Sequence, residues 1–166
     1  MAVDYEIIVQ GNNLRLQNGF LGLANATLIT CDSGPILFDV GHYCNRSTLL
    51  NNLKKRGMQP SDIKLVFLSH LHFDHCNNVD LFPHAKVLVS AKEWAYVDAP
   101  HKEDLYIPWM IKEQLKKHDV TLIDGEHEIT KGVSYFPAPG HTPGSFGVQL
   151  DTEENGCVVL AGDSLK

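Results

Sequence analysis

Six residues, His70-Leu71-His72-Phe73-Asp74-His75, follow, one residue on, the apolar run IKLVFL at residues 63–68. A run of that length reads as a short strand buried on both faces, so the chain must deliver three imidazoles and a carboxylate to the end of a core strand. On extended backbone, positions i and i+2 project to the same side, whereas on a helix they stand about 200° apart. His70 and His72 can therefore converge on one ion. A turn into a helix after His72 would swing Asp74 and His75 round to a neighbouring ion. Without a cation, such a cluster is costly to desolvate and repels itself when protonated, and metal binding is the reading that accounts for it.

The rest of the chain supplies two more donors at strand ends. Residues 133–137 read as a strand, and the loop Pro139-Gly140-His141-Thr142-Pro143-Gly144 after it holds His141 in irregular backbone set by its glycines and prolines. Residues 157–160 are apolar and β-branched, and Ala161-Gly162-Asp163 places a carboxylate at their end. Further strands are expected at residues 5–10, 26–31, 35–40, 86–90, 120–123 and 146–150. Asp32-Ser33-Gly34 and residues 151–156 have hairpin-turn chemistry. Helices are expected from Asn45 or Ser47 to Gly57, with Leu49, Leu50 and Leu53 on one face, and over residues 91–97 and 110–117. Strands outnumber helices and hairpins mix with crossovers, so the expected class is layered α/β, with residues 1–166 as one domain. The four cysteines form no CxxC pair and read as reduced, mostly buried thiols.

With these residues in place, His70-x-His72-x-Asp74-His75, the Pro-Gly-His141-Thr-Pro-Gly loop, Gly162-Asp163 and the earlier Phe38-Asp39-Val40-Gly41 together resemble the metallo-β-lactamase superfamily. The resemblance implies an αββα four-layer sandwich with a two-metal site on one edge of the sheets. By that carry-over His70, His72 and His141 hold the first ion, and Asp74, His75 and the bridging Asp163 hold the second. Asp39 and Ser69 would steady the ligand loops. The family pattern also has a further histidine well downstream of the bridging aspartate. Only Ser164, Leu165 and Lys166 follow here, so the chain is expected to lack the C-terminal elements and that ligand, unless a partner chain supplies them. His42, His84, His101, His118 and His127 are read as surface residues.

All these ligands are nitrogen or oxygen donors, which suits two Zn²⁺ ions and admits Fe or Mn, while the lack of ligand thiolates argues against a closed structural zinc site. Such ions activate water and polarise a carbonyl, so the expected function is hydrolysis of a small ester, lactone or thioester, with Asp74 orienting the nucleophile or shuttling its proton. The six-residue core resembles those of acyl-homoserine-lactone lactonases and glyoxalase II enzymes. Alternatives are a phosphodiesterase or ribonuclease of the same superfamily, a mononuclear iron persulfide dioxygenase, and a non-catalytic metal-binding module. A net charge of −6 disfavours a nucleic-acid partner. The expected partner is a small-molecule substrate, and a homo-oligomer is compatible with the sequence. With no run of 18 apolar residues and no signal-peptide pattern at its start, the chain is expected to be cytoplasmic and without a membrane partner. Residues 101–117, with Tyr106, Ile107, Trp109 and Met110, either overhang the metal site or pack as a helix on the sheet.

Overall fold

The computed structural model describes residues 2–165. Strand β1 (Asp4–Val9) is followed by β2 (Asn12–Leu16), β3 (Gly19–Leu23), β4 (Ala26–Thr30) and β5 (Ile36–Phe38). The chain then alternates: α1 (Arg46–Lys55), β6 (Leu65–Phe67), the single turn α2 (Phe73–Cys76), β7 (Lys86–Ser90), α3 (Ala91–Tyr96), α4 (Ile111–Leu115) and β8 (Asp119–Ile123). Four strands close it, β9 (His127–Thr130), β10 (Val133–Pro137), β11 (Phe146–Thr152) and β12 (Gly156–Leu160).

These strands form a six-stranded sheet in the order β1-β4-β5-β6-β7-β8, a four-stranded sheet in the order β12-β11-β10-β9, and the separate hairpin β2-β3. The hairpin β4-β5 pairs antiparallel across Asp32-Ser33-Gly34, as its turn chemistry predicts. From β5 to β8 the strands run parallel, because each crossover carries helical chain back over the sheet. The run at 63–68 shows why its strand is apolar throughout. Val66 and Leu68 pack into the core beneath α1, α3 and α4, while Leu65 and Phe67 point the other way, into the core between the two sheets. Helices therefore cover one face of the six-stranded sheet and the four-stranded sheet covers the other. Among the described residues every helix lies between β5 and β8 in the chain, so these residues build the α, β and β layers of the expected αββα sandwich.

Some expectations shift. In α1, Leu49 and Leu53 are buried and Leu50 is half-buried; Asn45 is the capping residue but its side chain makes no capping hydrogen bond. The strand expected at 35–40 ends at Phe38, because Asp39 turns to φ 58°. The hairpin β2-β3 and strand β9 have no counterpart in the sequence reading. Every residue described in β2 is exposed, so the hairpin lacks the buried alternation that marks a core strand; the chain turns at Gln17-Asn18, and Gly19 opens β3 opposite Leu16. No disulfide joins the cysteines, but only Cys31 and Cys76 are buried, while Cys44 and Cys157 are exposed. Among the described residues no helix is long and apolar enough to cross a membrane.

Candidate metal centre

The site gathers at the carboxyl ends of β5 and β6, where open α/β sheets place their ligands, and is closed by loops from the second sheet. Beyond β6 the backbone stays extended, with His72 at φ −71°, ψ 152°. His70 and His72 thus lie on the same side, with ring centroids 4.6 Å apart. The single turn of α2 then brings His75 back, so that its ring lies 3.9 Å from that of His70. His141 arrives on the β10-β11 loop, where Gly140 takes φ 149°, and its Nε2 reaches 2.9 Å from His72 Nδ1. Asp163, three residues past β12, directs Oδ1 to His75 Nε2 and Oδ2 to His141 Nε2, each at 3.4 Å.

Two donor groups result. One ligand atom each from His70, His72 and His141 lie within 4.8 Å of one another, and the same holds for His70, His75 and Asp163. Five of the six residues singled out from the sequence therefore meet in these two sets. Asp74 belongs to neither; its Oδ2 is 3.8 Å from His75 Nε2. Burial pushes the Asp74 carboxyl above its ordinary range, with His75 opposing and Asp163 adding to the shift. The donor set fits a divalent cation. His75 Nε2 is buried and makes no hydrogen bond among the described residues, and a cation shared with Asp163 would satisfy it.

Behind the donors, two buried carboxylates tie the loops together. Asp39, 2% exposed, accepts from the Ser69 amide (2.8 Å), the Ser69 hydroxyl (2.8 Å) and His75 Nδ1 (2.7 Å). Those contacts steady both Ser69 and the His75 ring, the role the family pattern implies. Glu93, which no sequence motif marks as part of the site, is fully buried at the start of α3. It accepts from the Leu71 amide at 3.0 Å, the Thr142 hydroxyl at 2.7 Å and the Gly144 amide at 3.2 Å. One carboxylate thus joins the strand-end ligands to the His141 loop. Its burial lifts the Glu93 carboxyl above its ordinary range despite these donors. Gly144 permits the approach: a Cβ there would stand 2.2 Å from the Glu93 nitrogen.

In the metal-free chain, burial works against charge on His75, but Asp39, Asp163 and Asp74 outweigh it and hold its pKa up to about 10. A folded pKa above the unfolded value means that this contribution to stability is complete below about 6.5 and is lost as pH rises through about 10. Urea unfolding of the metal-free chain should therefore show a steeper loss of stability from pH 7 to about 10.5 than the His75→Gln variant does. Equal losses in the two chains would contradict this.

Residues 101–117 divide between the two roles expected of them. Asp104 and Tyr106 border the site, the Tyr106 ring lying 5.5 Å from that of His72, whereas Ile107 and Ile111 pack into the helix-side core and Trp109 is 91% exposed. Burial disfavours charge on Asp104, yet hydrogen bonds from His72, the Tyr106 amide and Tyr96 hold its carboxyl below the usual range. The remaining histidines stay outside the two donor groups: His84, His101 and His127 are exposed, His118 is half-buried, and His42 is half-buried with its ring edge-on to Phe73.

Known proteins resemble this chain in sequence and in fold. Bacillus thuringiensis N-acyl homoserine lactonase is 32% identical over 144 residues, covering 86% of this chain and 52% of its own length. Mouse metallo-beta-lactamase domain-containing protein 1 is 36% identical over 131 residues, covering 78% of this chain and 44% of its own. The chain thus spans about half the length of the curated relatives it matches. A crystal structure of a Bacillus thuringiensis AiiA mutant, with N-decanoyl-L-homoserine bound at its active site, superposes with a TM-score of 0.75 at 21% identity, over 96% of this chain and 74% of that one. The family model for the metallo-beta-lactamase superfamily matches residues 19–166. With nearly the whole chain matched, and its donors at the strand ends that the resemblance implied, the protein belongs to the metallo-β-lactamase superfamily.

Proposed function

We propose that this chain carries the metal-binding portion of a zinc-dependent hydrolase acting on small lactones, and more broadly on esters or thioesters. The observation that carries the reading is the meeting of two donor groups that share His70 and are flanked by Asp163. His70, His72 and His141 would hold one ion; His75 and Asp163, with Asp74 alongside, would hold the other. Nitrogen and oxygen donors without thiolates suit zinc, and the name of the lactonase relative favours a lactone among the possible substrates.

When bound, such ions supply Lewis acidity at a carbonyl oxygen and an activated water. The chain's own residues supply the rest. Asp74 lines a small cleft of about 80 Å³ together with Phe73, Tyr106, His72, His141 and Asp163. Asp74 lies beside His75 Nε2 at the edge of the donor group, and it is assigned the orientation of the nucleophile or the transfer of its proton. Asp39 and Glu93 keep the donor loops in register, so that little reorganisation is needed when substrate arrives.

The test couples metal content to activity. His72→Ala is expected to lower bound zinc at least about tenfold and to abolish ring opening of an N-acyl homoserine lactone, followed by acid release. Hydrolysis that survives complete metal removal would refute the reading, and one iron with oxygen consumption would replace it with dioxygenase chemistry.

A further inference from the structure

We infer that Asp104 is a positioning residue for His72: its carboxylate holds the imidazole proton on Nε2 and leaves the Nδ1 lone pair facing His70 and His141. This rests on the metal reading above and names a residue outside the ligand loops, on the segment between α3 and α4. The two ring nitrogens of His72 face different neighbours. Nε2 lies 3.1 Å from Asp104 Oδ2, and Nδ1 lies 2.9 Å from His141 Nε2, on the side of the shared donor group. An ionised carboxylate only accepts hydrogen bonds, so Nε2 must donate, and in a neutral ring Nδ1 is then the free donor to a cation. Such a carboxylate behind a ligand imidazole fixes its tautomer and orientation and raises its basicity.

Asp104 is itself held in place. Tyr96 Oη donates to its Oδ2 at 2.9 Å and the Tyr106 amide to its Oδ1 at 3.1 Å. The Phe73 amide donates to the Tyr106 carbonyl at 2.8 Å, fastening this segment to the backbone next to His72. The His72 and Asp104 side chains are 6% and 11% exposed, so water competes little for the contact. Asparagine at 104 has one acceptor oxygen. If that oxygen faces His72 and Tyr96, its amide meets the Tyr106 N–H, donor against donor; if it turns, His72 loses its acceptor.

The test uses the full chain, zinc-free and then titrated with zinc against a competing chelator. Long-range ¹⁵N–¹H spectra of the zinc-free wild type should show His72 as the Nε2–H tautomer, and Asp104→Asn should shift it toward a mixture while the backbone amide spectrum stays folded. Zinc affinity should fall about 10–100-fold in Asp104→Asn, with Asp104→Glu recovering part of the loss. Tyr96→Phe, which keeps the carboxylate, should keep the tautomer. An Nδ1–H tautomer in the wild type overturns the inference without need of a variant. So does an Asp104→Asn chain with unchanged tautomer and zinc affinity. A wild type that binds no zinc overturns the metal reading instead, and with an Nε2–H tautomer that shifts in Asp104→Asn the positioning claim would still stand.

Discussion

An Asp39→Ala chain should melt about 10–15 °C below the wild type and lose zinc affinity, whereas Asp39→Asn should keep most of the stability and lose mainly the zinc. Removing the carboxylate takes the acceptor from three buried donors, the Ser69 amide, the Ser69 hydroxyl and His75 Nδ1; Ser69 Oγ keeps contacts to His70 Nδ1 at 3.0 Å and His75 Nδ1 at 3.3 Å, so the heaviest losses fall on the amide and on the charged imidazole. Stranding the partners of a buried charge costs about 3–5 kcal/mol, and for a chain of this length each kcal/mol lowers the melting temperature by about 2–4 °C. Backbone adds to the loss. Asp39 is the one non-glycine residue with positive φ among the described residues, at 58°, a conformation that alanine resists by about 1–2 kcal/mol and asparagine tolerates. Asparagine keeps shape and φ but presents an NH₂ to one of the three donors. Calorimetric melts of the zinc-free proteins separate the two effects, and an alanine variant within 2 °C of wild type would contradict the argument.

The Glu93→Ala result should be of similar size for a different reason. Glu93 makes no contact with a donor atom of either metal group. It accepts from Leu71, between His70 and His72, and from Thr142 and Gly144, beside His141. Its loss leaves two buried amides without this acceptor at about 1–3 kcal/mol each; Thr142 retains Ser145 Oγ at 2.7 Å. We expect a loss of about 2–5 kcal/mol in urea unfolding. A weakening of the His70-His72-His141 group should accompany it, read as reduced zinc affinity. Glu93→Gln should lie between, since its amide oxygen can still serve Thr142 and Gly144 while its NH₂ opposes the Leu71 N–H. Wild-type zinc affinity in a folded Glu93→Ala chain would show that the two loops are held by packing alone.

Much of this arrangement is legible from the sequence because local chemistry and burial agree. The apolar run at 63–68 suggests a doubly covered strand, observed over Leu65–Phe67, and the two-residue spacing of His70 and His72 then sets both imidazoles on one side. His141 and Asp163 follow from strand ends flagged by turn residues. What escapes is whatever depends on distant chain meeting. Glu93 sits three residues after Ser90 in the spelling of a helix cap, and Ser90 Oγ does accept from the Lys92 and Glu93 amides. Nothing in that pattern tells that the carboxylate turns away to serve residues 71, 142 and 144. Asp104 lies in a segment without periodicity, so its reach to His72 is visible only once α3 and α4 fix the strap between them. The hairpin at 12–23 escapes for the opposite reason: Leu14 and Leu16 alternate with polar residues, but every described β2 residue is exposed, so the pattern serves no core face.

The most direct measurement is anomalous diffraction at the zinc edge from crystals of the chain grown with zinc. A peak is expected bonded to His70, His72 and His141 at about 2.0–2.1 Å from each nitrogen, and a second between His75 and Asp163, with Asp104 remaining on His72 Nε2. A zinc ion found only on surface histidines such as His84 or His127, with the cluster at the end of β6 left empty, would contradict this expectation.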